Sequence, residues 1–345
     1  MPKRGAKKPE IVDAKRSKWL WKKEGNVEVE LSREPTEYDG ALHASKVRTV
    51  TRRNFPGVYN STTGATKLPP RSETGLIRFP VSRDVMKRDP EHPEVYAIRL
   101  SAIVPLEVQD LIGNQWLRLV ALGGVKTECS KDGNRSVTGA AHLGIWSHYS
   151  GVPYITKDTY QRKSSPEVQA ATDELCHLVA QHLAPIIKRI IQIHSPSLIP
   201  KLERAHAYVQ ANLDDPSGKW RYINFLGAFS AFAVKEGSSE KLHLDFHDTR
   251  NFLTFMVPFA LEGSYSGGYF FSPNLGAPIP VRPGDIMGAM TNLLGHCGTR
   301  ATGGRRLVVT CFLDKFLMLH ANQHWHIPRS PRPPKPELEE GEIIL

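Results

Sequence analysis

The chain has 345 residues, 40% of them hydrophobic, which allows a substantial buried core and is ordinary for a soluble globular protein. No run approaches the roughly 18 to 20 consecutive apolar residues of a membrane span, and the charged start "MPKRGAKKPE" has no apolar segment after it to make a secretory signal. An intracellular protein is the expectation. The cysteines Cys129, Cys176, Cys297 and Cys311 form no CxxC pair, which argues against a disulfide framework and a thiolate zinc site, while a formal charge of +10 points to an anionic partner.

Much of that charge sits at the start. Residues 1–26 hold nine Lys or Arg against Glu10, Asp13 and Glu24, a net +6. Such a tail reads as a nuclear-import signal, as a nonspecific arm for DNA or RNA, or as solvated disorder; Trp19 and Trp21 suggest that its end docks. Residues 27–93 follow as an irregular extension, rich in Thr, Arg, Pro and Gly from 41 to 90. A folded domain is expected over 94–320. "EVYAIRLSAIVP" alternates as a strand, and "NQWLRLVALGGV" fits a further strand or a short helix.

Helices are expected over about 166–212. Leu175, Val179, Leu183, Ile186, Ile190 and Ile193 recur at three- and four-residue steps, with Pro185 placed to kink or divide the run. His177, His182 and His194 lie in this region, where a histidine beside a packing face is usually just accommodated. From about 225 to 316 the pattern changes to short strands between Gly, Pro and Asn turns: "FSAFAV", "KLHLDF", "FLTFMVPF", "GGYFFS", "APIPV", "DIMGAM" and "RLVVTCF". That spacing predicts a sandwich or barrel. The end, 321–345, is proline-rich and then acidic, the composition of an extended tail.

The stretch "LHLDFHDTRNF" carries unusual chemistry for a strand. Residues two apart share a face, so His243 and Asp245 present a nitrogen and a carboxylate to one point while Leu244 and Phe246 face away. His247 and Asp248 fall where the strand ends and read as mouth or supporting residues. A third ligand is available in "PGDIMGAMTNLLGHCGTR", where Pro283, Gly284 and Asp285 form a turn and His296 lies near the next one. Two histidines and one carboxylate make the facial triad suited to non-haem Fe(II), leaving positions for a chelating 2-oxo acid and for O2. The distal carboxylate of such an acid needs a cation, and "GGRRLVVTCF" supplies Arg305 and Arg306 on opposite faces. Arg306 shares its face with Val308 and Thr310 and is the preferred anchor, with Thr310 adding a hydroxyl. HxD alone occurs by chance in many proteins; a distal His, a PGD turn and a Gly-x-Arg strand in order raise its weight. A cupin-like site using His247 as a further ligand leaves the arginine unexplained.

Taken together, "HLDFHD", "GGYFFSPNLGAPIPVRPGD", "LLGHCGT" and "GGRRLVVTCF" resemble the catalytic domain of the Fe(II)/2-oxoglutarate-dependent dioxygenases. They are most similar to the TET/JBP-like oxygenases, especially the set found in mushroom-forming fungi. The resemblance is specific over residues 225–316, vaguer over the preceding helices and absent for 1–90. It implies an α+β fold: a double-stranded β-helix (jelly-roll) barrel with supporting helices packed outside. It implies His243, Asp245 and His296 as iron ligands, Arg306 as the 2-oxoglutarate anchor, and Fe(II), 2-oxoglutarate and O2 as the reacting set. The implied activity is oxidation of a C–H bond, such as the methyl of 5-methylcytosine in DNA. The alternatives are a protein or small-molecule hydroxylase on the same barrel, or an inactive barrel that binds nucleic acid or a partner. Two departures from the family pattern stand out: the doubled arginine, and Cys297 directly after the distal histidine.

Overall fold

The computed structural model describes Val27–Glu28 and residues 75–323, apart from 90, 126–139, 148–151, 162–163, 241, 246, 250 and 276–277. The basic residues 1–26, Arg52, Arg53 and Phe55, Cys129 and the stretch after 323 lie outside the described residues. None of the described helices is long and apolar enough to cross a membrane.

The segment expected to be an irregular extension contributes regular structure before residue 94. β1 (Val27–Glu28) pairs in parallel with β2 (Leu76–Pro80), and α1 (Arg83–Arg88) follows, capped by the Ser82 side chain on Val85 N–H. β2 alternates, with Ile77 and Phe79 fully buried and Leu76, Arg78 and Pro80 half-buried. Five residues are too short a run to stand out from Thr/Arg/Pro-rich surroundings. β3 (Val95–Leu100) is the expected strand, whereas the ambiguous "NQWLRLVALGGV" lies in α2 (Leu106–Ala121), which buries Ile112, Trp116 and Leu119 along one face.

After β4 (Ala141–Trp146) and β5 (Tyr154–Ile155) comes α3 (Lys157–Tyr160), and then α4 (Pro166–Leu178), capped by Ser165 with Pro166 in its first turn. The expected division of the long helix occurs as a π-turn over Val179–Leu183, followed by α5 (Ala184–His194) with Pro185 in its first turn. Proline cannot donate to the preceding turn and its ring crowds that turn; a locally wider ladder accommodates both. The extra residue rotates everything after it. Ile187, Ile190, Ile191 and His194 are buried, Ile186 only partly so, and Ile193 is 55% exposed, which corrects the expected face at Ile186 and Ile193 and keeps it at Ile190. α6 (Ile199–Asn212) and α7 (Trp220–Ile223) complete the helical layer.

The strand-rich part runs β6 (Ala231–Glu236), β7 (Thr254–Glu262), β8 (Ser266–Gly267), β9 (Phe270–Phe271), β10 (Ile286–Ala289), β11 (Cys297–Gly298), β12 (Ala301–Thr302) and β13 (Arg305–Phe312). α8 (Lys315–Gln323) then passes the point where the C-terminal tail was expected to begin. Nine strands form one sheet in the order β1-β2-β3-β10-β7-β13-β6-β4-β5, antiparallel except for β1 and β2. Two further pairs form, β11 with β9 and β12 with β8, and next to the first lie the single bridges His243↔His296 and Phe270↔Ile279. The fold is thus a mixture of helices with antiparallel sheet, and among the described residues no sheet closes on itself.

Register assigns the two faces of the large sheet, because directly opposed residues point the same way. Leu307, Val309 and Cys311 lie opposite Phe259, Val257 and Phe255 on one side and Glu236, Val234 and Phe232 on the other. All but Glu236 are buried, α2 packs against β7, and Trp116 Nε1 reaches Glu236 at 2.9 Å, so this is the face under the helices. The opposite face carries Arg306, Val308, Thr310 and Phe312, beside Pro258 and Met256 on β7 and Lys235, Ala233 and Ala231 on β6.

Candidate metal centre

The segment holding His243 and Asp245 is not the regular strand that its alternation suggests. It makes one antiparallel bridge, in which His243 N–H donates to His296 O at 2.9 Å and His296 N–H returns to His243 O at 2.9 Å. The chain turns immediately afterwards, with Asp248 N–H on Asp245 O at 3.2 Å. One reciprocal bridge is nevertheless enough to set two imidazoles side by side, 4.4 Å between centroids.

His243, Asp245 and His296 converge, each offering a ligand atom within 4.8 Å of the others. Asp245 Oδ1 lies 3.6 Å from His243 Nε2, and Asp245 Oδ2 lies 3.4 Å from His296 Nε2. Both separations are long for hydrogen bonds. They approach the spacing of about 3 Å between neighbouring ligands bound about 2.1 Å from one ion. The tautomer supports this reading. His296 Nδ1 lies 3.0 Å from Leu294 O, and a carbonyl only accepts, so in the neutral ring Nδ1 carries the hydrogen and Nε2 turns a lone pair toward the carboxylate. Two acceptors facing each other inside a site where His243 is 4% and His296 5% exposed call for a cation between them. Phe270 stacks on His296 at 5.4 Å and walls one side of the imidazole.

His247 and Asp248 are not part of this cluster. The Asp248 side chain accepts the hydroxyls of Thr254 at 2.7 Å and Thr291 at 3.0 Å, and His247 O accepts Lys315 N–H at 2.8 Å. His177, His182 and His194 likewise stay outside it. Asp285 of the PGD turn is structural: its carboxylate accepts the N–H groups of Ala102 and Arg282, each at 2.8 Å, and lies 3.9 Å from the fully buried Arg99. Burial raises the pKa of Asp285, against the opposing pull of those hydrogen bonds and of Arg99. Gly284 takes φ +81° in this turn, where a Cβ would meet Val104 O at 3.0 Å.

The two arginines have different surroundings. Arg305 is 39% exposed and is neutralised by Glu236, at 3.0 Å, and Glu262, at 2.7 Å. Arg306 is 8% exposed and meets only neutral acceptors: Gly237 O at 3.0 Å, Ser238 Oγ at 3.4 Å and Gly268 O at 3.2 Å. Its Nε and the Tyr265 hydroxyl are buried beside one another without a hydrogen bond of good geometry, the Tyr265 ring centroid lying 5.8 Å from the guanidinium carbon, and the two groups interact electrostatically. Burial lowers the pKa of Arg306, yet a guanidinium keeps its charge in proteins. Among the described residues no carboxylate offsets that charge. Gly268 makes the close fit possible, since a Cβ there would meet Arg306 Nε at 2.8 Å on a backbone with φ +69°. Phe270, two residues on, is the ring on His296, so the short stretch from Gly268 to Phe270, between β8 and β9, touches both cation and triad. Cys297, next to the distal histidine, has its thiol pushed up to about 11 by burial and so remains protonated.

Thr310 lies on the Arg306 face, half-buried, opposite Met256 and Ala233. Further along that face stands a group of rings that the sequence pattern did not mark: His142 lies 6.4 Å from Phe312 and 5.8 Å from Trp146, and Trp146 lies 6.4 Å from Tyr154. The adjoining Ser147 N–H donates to Asp314 Oδ1 at 3.2 Å, and Asp314 bridges Asp248, so the rings sit at the triad's end of β13. Thr291 and Asn292 also went unmarked. Their only trace in the sequence is a polar pair inside the apolar run "DIMGAMTNLLGH".

No protein-family profile matches the chain, and no curated protein does. Among solved structures it is similar to NgTET1 in complex with 5mC DNA, at 17% identity over 65% of this chain and 74% of that one, with a TM-score of 0.47. It is also similar to OsALKBH1, at 15% identity over 64% of this chain and 97% of that one, with a TM-score of 0.34. Both scores are below one half, and the case for function therefore rests on the site's own atoms.

Proposed function

We propose that this chain is an Fe(II)- and 2-oxoglutarate-dependent dioxygenase that hydroxylates a C–H bond, with a methylated base in nucleic acid as its substrate. One observation carries the reading: the stretch from Gly268 to Phe270 touches both a two-histidine, one-carboxylate cluster and a buried guanidinium that, among the described residues, has no anionic partner. Two neutral imidazoles and a carboxylate on one side of an ion leave the other side open, as ferrous oxygenases require. We read the large sheet and the short pairs over its Arg306 face as the two layers of a jelly roll.

Ferrous iron held by His243, Asp245 and His296 would supply the coupling of oxidative decarboxylation of 2-oxoglutarate to insertion of one oxygen atom into a C–H bond, giving succinate, CO2 and an alcohol from one O2. The chain's residues do the rest by position. Arg306 receives the distal carboxylate of the oxo acid, offsetting the cost of its own burial, with the Thr310 and Tyr265 hydroxyls as further donors. Hydrogen bonding to Leu294 O keeps His296 in the tautomer that ligates. Val308 and Met256, half-buried on the same face, restrict water beside the acid. His142, Trp146 and Phe312 offer flat rings on which an extruded base would stack, and this favours a base over an aliphatic side chain.

Incubating the protein with iron, ascorbate and 2-oxoglutarate together with pools of methylated DNA, methylated RNA and peptides, followed by mass spectrometry, tests the proposal. The expected result is oxygen added to a methylated base with stoichiometric succinate. Oxygen added only to peptides would move the substrate to a protein side chain. No succinate under any condition would overturn the dioxygenase reading and leave a binding module.

A further inference from the structure

The segment Thr291–His296 supplies one ligand and also fixes the backbone that carries the other two. His296 ends it and exchanges both backbone hydrogen bonds with His243. At its start, Thr291 O accepts Asp245 N–H at 3.1 Å, and Asn292 Nδ2 donates to Asp245 O at 2.9 Å. The second hydrogen of the same nitrogen reaches Asp248 O at 2.8 Å. One amide therefore ties together both ends of the Asp245–Asp248 turn. Below it, Asp248 Oδ2 gathers the hydroxyls of Thr291 and Thr254, whose oxygens lie 2.9 Å apart.

Asp245 needs such a device. Among the described residues it lies in no regular strand, between the bridge at His243 and the turn to Asp248, so its backbone is placed by the bonds to Thr291 O and Asn292 Nδ2. Packing alone does not call for asparagine at a position 2% exposed beside Leu293 and Leu294, where a leucine would fill similar volume. The amide's distinctive property is two donors on one nitrogen, at the spacing of a turn's two carbonyls.

On the metal-centre reading above, we infer that Thr291–His296 is the template on which the triad is assembled, and that Asn292 is a positioning residue that sets where Asp245 meets the metal. Outer partners of metal ligands typically contribute about 10- to 100-fold in metal affinity.

The test is Co(II) binding to the full-length chain, followed by visible absorption, with thermal unfolding of the metal-free protein alongside. Asn292→Ala and the isosteric Asn292→Asp, which replaces both donors with an acceptor, should weaken Co(II) binding by about 10- to 100-fold and alter the Co(II) spectrum. Thr159→Val serves as the control. It removes a fully buried hydroxyl that bonds Gly144 N–H at 2.7 Å outside the cluster, and it should lower the melting temperature while leaving Co(II) affinity within about twofold. Asn292 variants that are folded and bind Co(II) with wild-type affinity and spectrum would overturn the inference and leave the metal centre standing. Absence of Co(II) binding by the wild-type chain would instead overturn the metal centre itself. Should Asn292→Ala not fold, Asn292→Ser, with one short donor, is read in the same way.

Discussion

His243 and His296 give the cluster lone pairs, whereas Asp245 gives it charge, so their losses differ. Asp245→Asn keeps the shape, removes the charge and offers an amide hydrogen to the facing imidazoles. It should abolish iron-dependent succinate formation, by about 100-fold or more, while the metal-free protein melts no lower than wild type, because the repulsion between acceptors is relieved. His243→Ala should abolish turnover equally but gain no such relief; turnover assays beside calorimetry separate the two. Arg305 and Arg306 form a sharper pair. Arg306→Ala should raise the 2-oxoglutarate requirement about 10- to 100-fold, the loss of a charge-assisted bond in a dry site. Arg305→Ala removes a half-buried pair to Glu236 and an exposed one to Glu262, a loss that falls on stability, and should leave that requirement within about twofold. Initial rates across a 2-oxoglutarate series decide it, and the reverse ranking reassigns the anchor. These residues were legible in sequence because their chemical types come in a telling order. Tyr265, Gly268 and Asn292 were not, since a residue's name does not say which way a buried hydroxyl, a bare Cα or an amide points.

Most strands from residue 231 onward were legible in sequence, because alternation and turn residues mark them, and the helices within 166–212 were legible because their apolar steps recur over many turns. One failure came where a single residue shifts a pattern. The π-turn over Val179–Leu183 adds a residue to its turn, so an unbroken 3.6-residue count is out of phase for the whole of α5. Its energetic consequence is measurable: Ile187→Ala and Ile191→Ala should each cost about 2 to 5 kcal/mol, whereas Ile193→Ala, at a 55% exposed position, should stay within about 1 kcal/mol in chemical denaturation. The same helix ends in His194, 9% exposed, whose pKa is pushed down to about 4 by burial and by Arg78. The folded state thus holds this imidazole neutral, and the unfolded chain binds the proton first as pH falls. Stability is unaffected by His194 above about pH 6.5 and declines between there and about pH 4, by up to about 3 kcal/mol. His194→Gln should flatten that part of the stability profile; an unchanged acid slope would show that other groups set it.

At the scale of the whole chain, the charge is divided unevenly. Residues 1–26 carry +6 of the total +10, so the rest of the molecule bears +4 over a far longer sequence. On a nucleic-acid substrate the tail and the site would then do different work. Tail lysines and arginines would bind phosphates equally well before and after the base reacts, and so would contribute uniform binding, which lowers KM and leaves kcat alone. On the proposed substrate the rings of His142, Trp146 and Phe312 would stack on the base itself, so Trp146→Ala should reduce kcat/KM without changing the salt dependence. Deleting residues 1–26 should raise KM for a methylated oligonucleotide at fixed salt and leave kcat within about twofold. It should also flatten the plot of log Kobs against log salt by about 0.9 for each duplex phosphate that the tail neutralises, roughly 3 to 4 units if four of the nine tail cations are engaged. Titrations at several salt concentrations, run beside steady-state kinetics, measure both quantities. An unchanged slope would remove the tail from nucleic-acid binding, and a fall in kcat would mean that the tail reaches the site.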